Sequence, residues 1–145
     1  MNIQEKNREL LITLDDVWNE QDWDSFNDRH ASNVIAYWPG QLHPIRGVHN
    51  HRQKAIEFFK IFPDSHIANN PYKTLIAEGD YTCSVADFTG TFKGPLKGLD
   101  GKTIQPTNKK FHLELCRVDL WKGMEIVEER LFYDQAGMLM QIGAI

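Results

Sequence analysis

Near Phe62-Pro63-Asp64 the spacing of apolar residues changes from helical to alternating. Before this point apolar residues recur three and four apart. After it they recur every second residue, which are the periods of helix and strand respectively. Helices first and long strands afterwards is the order of an α+β domain.

Residues 3–20 read as an amphipathic helix, with Leu10, Leu11, Leu14, Val17 and Trp18 at helical spacing. Asp22 is placed to cap a second short helix carrying Trp23 and Phe26. Residues 33–38 form a short strand ended by Pro39-Gly40. Residues 48–60 form a third helix with Ile56, Phe58 and Phe59 as its main apolar residues, and Phe62-Pro63-Asp64 stops it. Strands follow at 65–78 (interrupted near Asn69-Asn70-Pro71), 81–93, 109–122 and 124–133. Glu78-Gly79-Asp80 and Lys122-Gly123 are the hairpin turns. Residues 136–141 suggest a terminal turn or helix. The expected architecture is a curved antiparallel sheet wrapped around the N-terminal helices, a cone with an internal pocket. With no linker or repeat, residues 1–145 read as a single domain.

Charge excludes one large class of partner. Sixteen basic and twenty acidic residues give a net charge of −4, without the basic surplus of a nucleic-acid binder. No apolar run approaches the ~18 residues of a membrane span, and the polar N-terminus does not read as a signal peptide. A cytoplasmic protein is the expectation. Cys83 and Cys116 lie in strand-like runs without metal-type spacing and read as structural thiols. Four Trp and eight Phe suit an aromatic-lined cavity or, equally, a filled core.

Five segments together resemble the SnoaL-like polyketide cyclase family, of the nuclear-transport-factor-like superfamily. They are Phe62-Pro63-Asp64, Leu75-Ile76-Ala77-Glu78-Gly79-Asp80, Thr89-Gly90-Thr91-Phe92-Lys93-Gly94, Gly101-Lys102 and the ending IVEERLFYDQAGMLMQIG at 126–143. The resemblance implies a cone with a deep hydrophobic cavity, commonly in a homodimer. It also implies cofactor-free and metal-free acid/base chemistry on a small hydrophobic, polyketide-like carbonyl compound. An Asp near the end of the last long strand acts as acid/base in the family and a His assists; Asp134 takes that position. The chain departs from the family pattern at Phe92, which replaces a His. It departs again at Glu128-Glu129-Arg130, where the family has Glu-His-Trp. The turn before Ile126 is also shorter.

In an unbroken strand Glu128, Arg130, Phe132 and Asp134 share one face. An apolar pocket on that side would raise the Asp134 pKa toward values useful for proton abstraction beside a carbonyl. Asp134 also precedes Gln135-Ala136-Gly137 and is equally placed to cap a turn. Arg130 is a candidate to pair with either acid or to grip an anionic group. Phe59 and Phe132 are candidate walls. Tyr37, Trp38 and His43 flank the expected cavity mouth. His112 is a second catalytic candidate, although its neighbours Phe111 and Leu113 put the apolar face opposite it. Along that strand the apolar parity switches near Cys116, which a bulge or a sheet covered on both faces would explain. His49 and His51, two apart at a helix start, point to different sides and do not read as a metal pair. Three functions stay open: an acid/base enzyme, a non-catalytic small-molecule-binding domain, and a dimeric interaction domain.

Overall fold

The computed structural model describes all residues, 1–145. Helix α1 (Ile3–Glu20) starts at a capping box in which Asn2 accepts from the Glu5 amide and the Glu5 side chain reaches back to the Asn2 amide. Helix α2 (Trp23–Asp28) starts at Asp22, which accepts from the Ser25 amide, as expected from the sequence. Strand β1 (His30–Tyr37) begins three residues earlier than expected and so takes in His30. A loop and the two-residue β2 (Ile45–Arg46) lead to α3 (Val48–Ile61). Strands β3 (His66–Ile67), β4 (Thr74–Glu78), β5 (Tyr81–Thr91), β6 (Leu96–Lys97), β7 (Thr103–Ile104), β8 (Lys110–Lys122) and β9 (Glu125–Phe132) follow. Helix α4 (Gln135–Gln141) ends the chain.

The main sheet runs β2-β1-β9-β8-β5-β3, with β4 also on β5. Its pairs are antiparallel except β1 with β9, which are parallel, so the sheet is mixed at that one seam. Helices α1, α2 and α3 cover its concave side. The core between them holds Leu11, Leu14, Phe92, Phe111, Trp121 and Ile126, none more than 1–2% exposed. Phe92, where the family has His, is a wholly buried core residue beside Phe62. The motif acid Asp64 is structural: its carboxylate accepts from the Thr91 amide and hydroxyl at 2.7 and 2.6 Å, tying the end of β5 to the end of α3.

Two details of strand register decide which side chains enter the cone. The β5–β8 ladder runs without a break from Tyr81↔Leu120 to Thr91↔Lys110, so β8 has no bulge at Cys116. Its odd residues face inward throughout, and the apparent parity switch means that Arg117 and Asp119 are buried on the core side. The bulge lies in β9 instead. Trp121 pairs with Ile126 but Leu120 pairs with Glu128, which leaves Val127 as the extra residue. Beyond it the facing of β9 is inverted, and Glu129, Leu131 and Tyr133 point into the cone.

Candidate active site

A small cavity of about 30 Å³ lies between α1, α3 and the sheet, with room for water-sized contents. Trp18, Phe26, Trp38, Phe58, Phe88 and Tyr133 form most of its aromatic wall, and Asp15, His51, Arg117 and Glu129 supply its polar groups. Each of these reaches the interior through the period of its own element. Asp15 lies on the apolar face of α1 with Leu11, Leu14 and Trp18, at helical spacing. His51 shares the inner face of α3 with Ala55 and Phe59, four and eight residues on. Arg117 and Asp119 follow Phe111, Leu113 and Leu115 on the inner face of β8, and Glu129 enters by the β9 bulge.

Arg117 is the hub. Its Nε and Nη2 bind the Asp119 carboxylate at 2.8 and 3.1 Å. Nη2 also donates to Glu129 Oε1 at 2.9 Å, and Nη1 to Asp15 Oδ1 at 3.0 Å. Four of the five guanidinium N–H groups are thereby engaged, and one on Nη1, beside Asp15, is left over. The Tyr72 hydroxyl donates to Asp15 Oδ2 at 2.6 Å. Glu129 Oε2 accepts from Trp38 Nε1 at 2.7 Å and lies 2.9 Å from His51 Nε2.

Three buried carboxylates face one guanidinium, and their proton affinities separate accordingly. Burial raises Asp119 to about 7 against the pull of Arg117, with Glu129 adding repulsion. Burial also raises Asp15, again opposed by Arg117 and by the Tyr72 hydrogen bond. Burial works in the same direction on Glu129, but attraction to His51 and Arg117 outweighs it and holds that carboxyl well below its usual range. Burial lifts the Tyr133 phenol to about 12, so it stays protonated, and its hydroxyl makes no hydrogen bond within the chain. The floor of the cavity thus combines a fixed anion, a fixed cation and a carboxyl, Asp15, with raised proton affinity.

Of the candidates named from sequence, Trp38 lines this cavity. Asp134 does not: it is exposed, and its carboxylate caps α4 by accepting from the Gly137 amide at 2.8 Å. Gly137 leaves it the space, because a Cβ there would collide with that carboxylate. Glu128 and Arg130 pair with each other on the outer face of the sheet, where the Arg130 guanidinium also sits 4.2 Å over the Tyr37 ring. Phe132 is 54% exposed on the same side. The β9 bulge is the physical reason for all three placements. His112 is an outer-face residue 3.0 Å from Asp87. His43 is exposed in the loop before β2. Phe59 is buried against Trp18, and its neighbour Phe58 forms the cavity wall in its place. Asp15, His51, Arg117 and Glu129 were not among the candidates. Two of them had a signal: Asp15 as a carboxylate on an apolar helix face, and Arg117 in an odd-residue period carried straight through it. We expect Asp134→Ala to lower stability by about 1 kcal/mol, the worth of a lost helix cap, as read from chemical denaturation.

Trp38, Phe58 and Tyr133 also line a wider outer basin of about 160 Å³, rimmed by Lys54, Glu57 and Gln135. These three aromatic side chains separate it from the inner cavity. Phe58→Ala should join the two spaces. Binding of a neutral naphthalene-type fluorophore is expected to rise several-fold, at a stability cost of about 2–3 kcal/mol because Phe58 is only half buried.

Solved structures share this fold at low identity. A candidate SnoaL-like polyketide cyclase from Jannaschia sp. CCS1 superposes with a TM-score of 0.86 at 20% identity, covering 100% of this chain and 96% of its own. TsrD from Streptomyces laurentii gives 0.79 at 19% identity, with 98% of both chains covered. IdmH, a candidate polyketide cyclase from Streptomyces antibioticus, gives 0.76 at 19%, covering 93% of this chain and 96% of its own. No curated protein sequence matches the chain. No helix is long and apolar enough to cross a membrane. The family description of SnoaL-like polyketide cyclases matches residues 8–142, from the first helix through the last, and the chain belongs to that family.

Proposed function

We propose that this protein is a cyclase- or isomerase-type enzyme that moves a proton on a small enolisable carbonyl compound, with Asp15 as the acid/base. The observation that carries the reading is the pairing of Asp15 with an unused N–H on the same Arg117 nitrogen that binds it, both at the floor of an aromatic cavity. A base and an oxyanion donor side by side are what α-proton abstraction needs. Asp15 takes the proton from the carbon beside the carbonyl. Negative charge develops on the carbonyl oxygen, which receives the free Arg117 N–H and the Tyr133 hydroxyl. Returning the proton to a different atom completes an isomerisation. Attack of the enolate carbon on a second carbonyl of the same molecule, with the proton delivered to the new alkoxide, closes a ring.

Size sets a condition on the substrate. The inner cavity accepts the reacting carbonyl end, and the rest of the molecule occupies the outer basin, past Trp38, Phe58 and Tyr133. The experiment is deuterium exchange. A panel of β-diketones and β-keto esters is incubated in D2O and followed by NMR. Protein-dependent exchange at the carbon between the carbonyls supports the reading, and none across the panel removes it. The same reading puts a second copy of the chain on the outer face of the sheet, where Ile76, Tyr81 and Phe132 are about half exposed. Sedimentation equilibrium tests that part.

A further inference from the structure

We infer that His30, His51 and Glu129 form a binding site for one divalent transition-metal ion of the zinc, cobalt or iron(II) class. The three ligand-bearing groups are fully buried, and their ligand atoms lie within 4.8 Å of one another. Atoms bound to a common zinc-like ion at about 2.0–2.2 Å are separated by roughly 3–4 Å, so little rearrangement is needed to close around one.

His30 supplies the strongest argument. Its Nδ1 lies 2.6 Å from the Phe26 carbonyl oxygen, so that nitrogen carries the hydrogen and donates it. The lone pair is then on Nε2, which has no hydrogen-bond partner and sits 3.7 Å from Glu129 Oε1. A nitrogen lone pair and a carboxylate oxygen facing each other repel, and a cation that both ligate removes that repulsion. An imidazole oriented through its other nitrogen by a backbone carbonyl is also how metal-bound histidines are held. His51 Nε2, 2.9 Å from Glu129 Oε2, completes the set when its proton shifts to the unpartnered Nδ1 and leaves the Nε2 lone pair for the ion.

Charge points the same way. Asp15, Asp119 and Glu129 outnumber Arg117 among the buried groups of this network, so acidic groups are in excess where a divalent ion would sit. Arg117 and Trp38 bind Glu129 from other directions and would orient the carboxylate. Two imidazoles and one carboxylate suit a borderline transition ion, whereas calcium and magnesium take oxygen-rich sets. His51 and Glu129 line the cavity, so the ion would present its remaining coordination position to an oxygen donor there.

The test uses the chelator-stripped full chain titrated with Co²⁺, followed by calorimetry and visible absorption, with no substrate present. Its outcome is therefore independent of the proton-transfer reading. One ion per chain at micromolar affinity or tighter is expected, with a rise in melting temperature. His30→Gln should weaken binding about 100-fold or more and abolish the thermal shift. Absence of a tight site overturns the inference, and so does unchanged affinity in His30→Gln, which would assign the ion to exposed histidines such as His49 and His66. If His30→Gln does not fold, pulsed EPR of the wild type with Cu²⁺ decides. Coupling to two imidazoles is expected, and one or none overturns the site.

Discussion

Arg117→Met is expected to destabilise the metal-stripped protein by about 3–5 kcal/mol at pH 7.5, the scale for leaving buried charge uncompensated. For a chain of this size that corresponds to a fall in melting temperature of roughly 10–15 °C. Methionine keeps most of the apolar stem, so lost packing is a minor part. The main effect is that the buried carboxyls Asp15, Asp119 and Glu129 lose their common partner. The deficit should depend on pH with a definite sign. In the wild type Asp119 is raised to about 7. The stability contributed by its protonated form is fully present below its unfolded value near 4 and is lost as pH rises through about 7. Removing Arg117 raises these carboxyls further, so the difference between the two proteins should shrink as pH falls from 7.5 toward 5. Urea denaturation at both pH values checks this. Equal midpoints at pH 7.5 would contradict the buried hub. Arg117→Met/Asp119→Leu should recover part of the loss, since a buried ion pair replaced by apolar groups is often neutral.

For Asp15→Asn we expect a fall in kcat/KM of about 10²–10⁴, the usual worth of a positioned acid/base, carried by kcat more than by KM. Asn matches Asp in size and keeps an oxygen for Arg117, so the fold should survive the change. Asp134→Ala is expected to stay within about twofold of the wild type, because its carboxylate is engaged in a helix cap and does not line the cavity. The pH profile separates catalysis from mere positioning. As a base, Asp15 must be ionised, so activity should climb as pH passes through its raised pKa, and Asp15→Asn should flatten that limb. Tyr72→Phe removes a hydrogen bond that favours the ionised form, so it should move the limb to higher pH. Retention of more than about a tenth of wild-type activity by Asp15→Asn would place the base elsewhere.

How much of the site could be read in advance depended on the element. Trp38 was visible because the family resemblance put the end of the first strand, before Pro39-Gly40, near the cavity mouth. Asp134 could be read as a pocket acid or as a cap, and the structure shows the cap, with Gly137 shaped around the carboxylate. Asp15 and Arg117 were hidden by a sound expectation, that charged residues avoid buried faces. Each was legible only to a reading that trusted the period over the residue type. Glu129 was not legible at all, because the strand period put Glu128 inside and only the bulge at Val127 reversed it.

By itself the amino-acid sequence determined the order of the main elements, the cap at Asp22, the hairpins and the family. These follow from interactions between residues a few positions apart, which local spacing encodes. Only the tertiary structure decided which carboxylates meet. Asp15 and Arg117 are 102 residues apart, and His51 and Glu129 are 78 apart. The pairing of β8 with β9, offset by a single extra residue, fixes what faces the cavity. No local pattern carries that offset, because a strand shifted by one residue keeps its period and exchanges its faces.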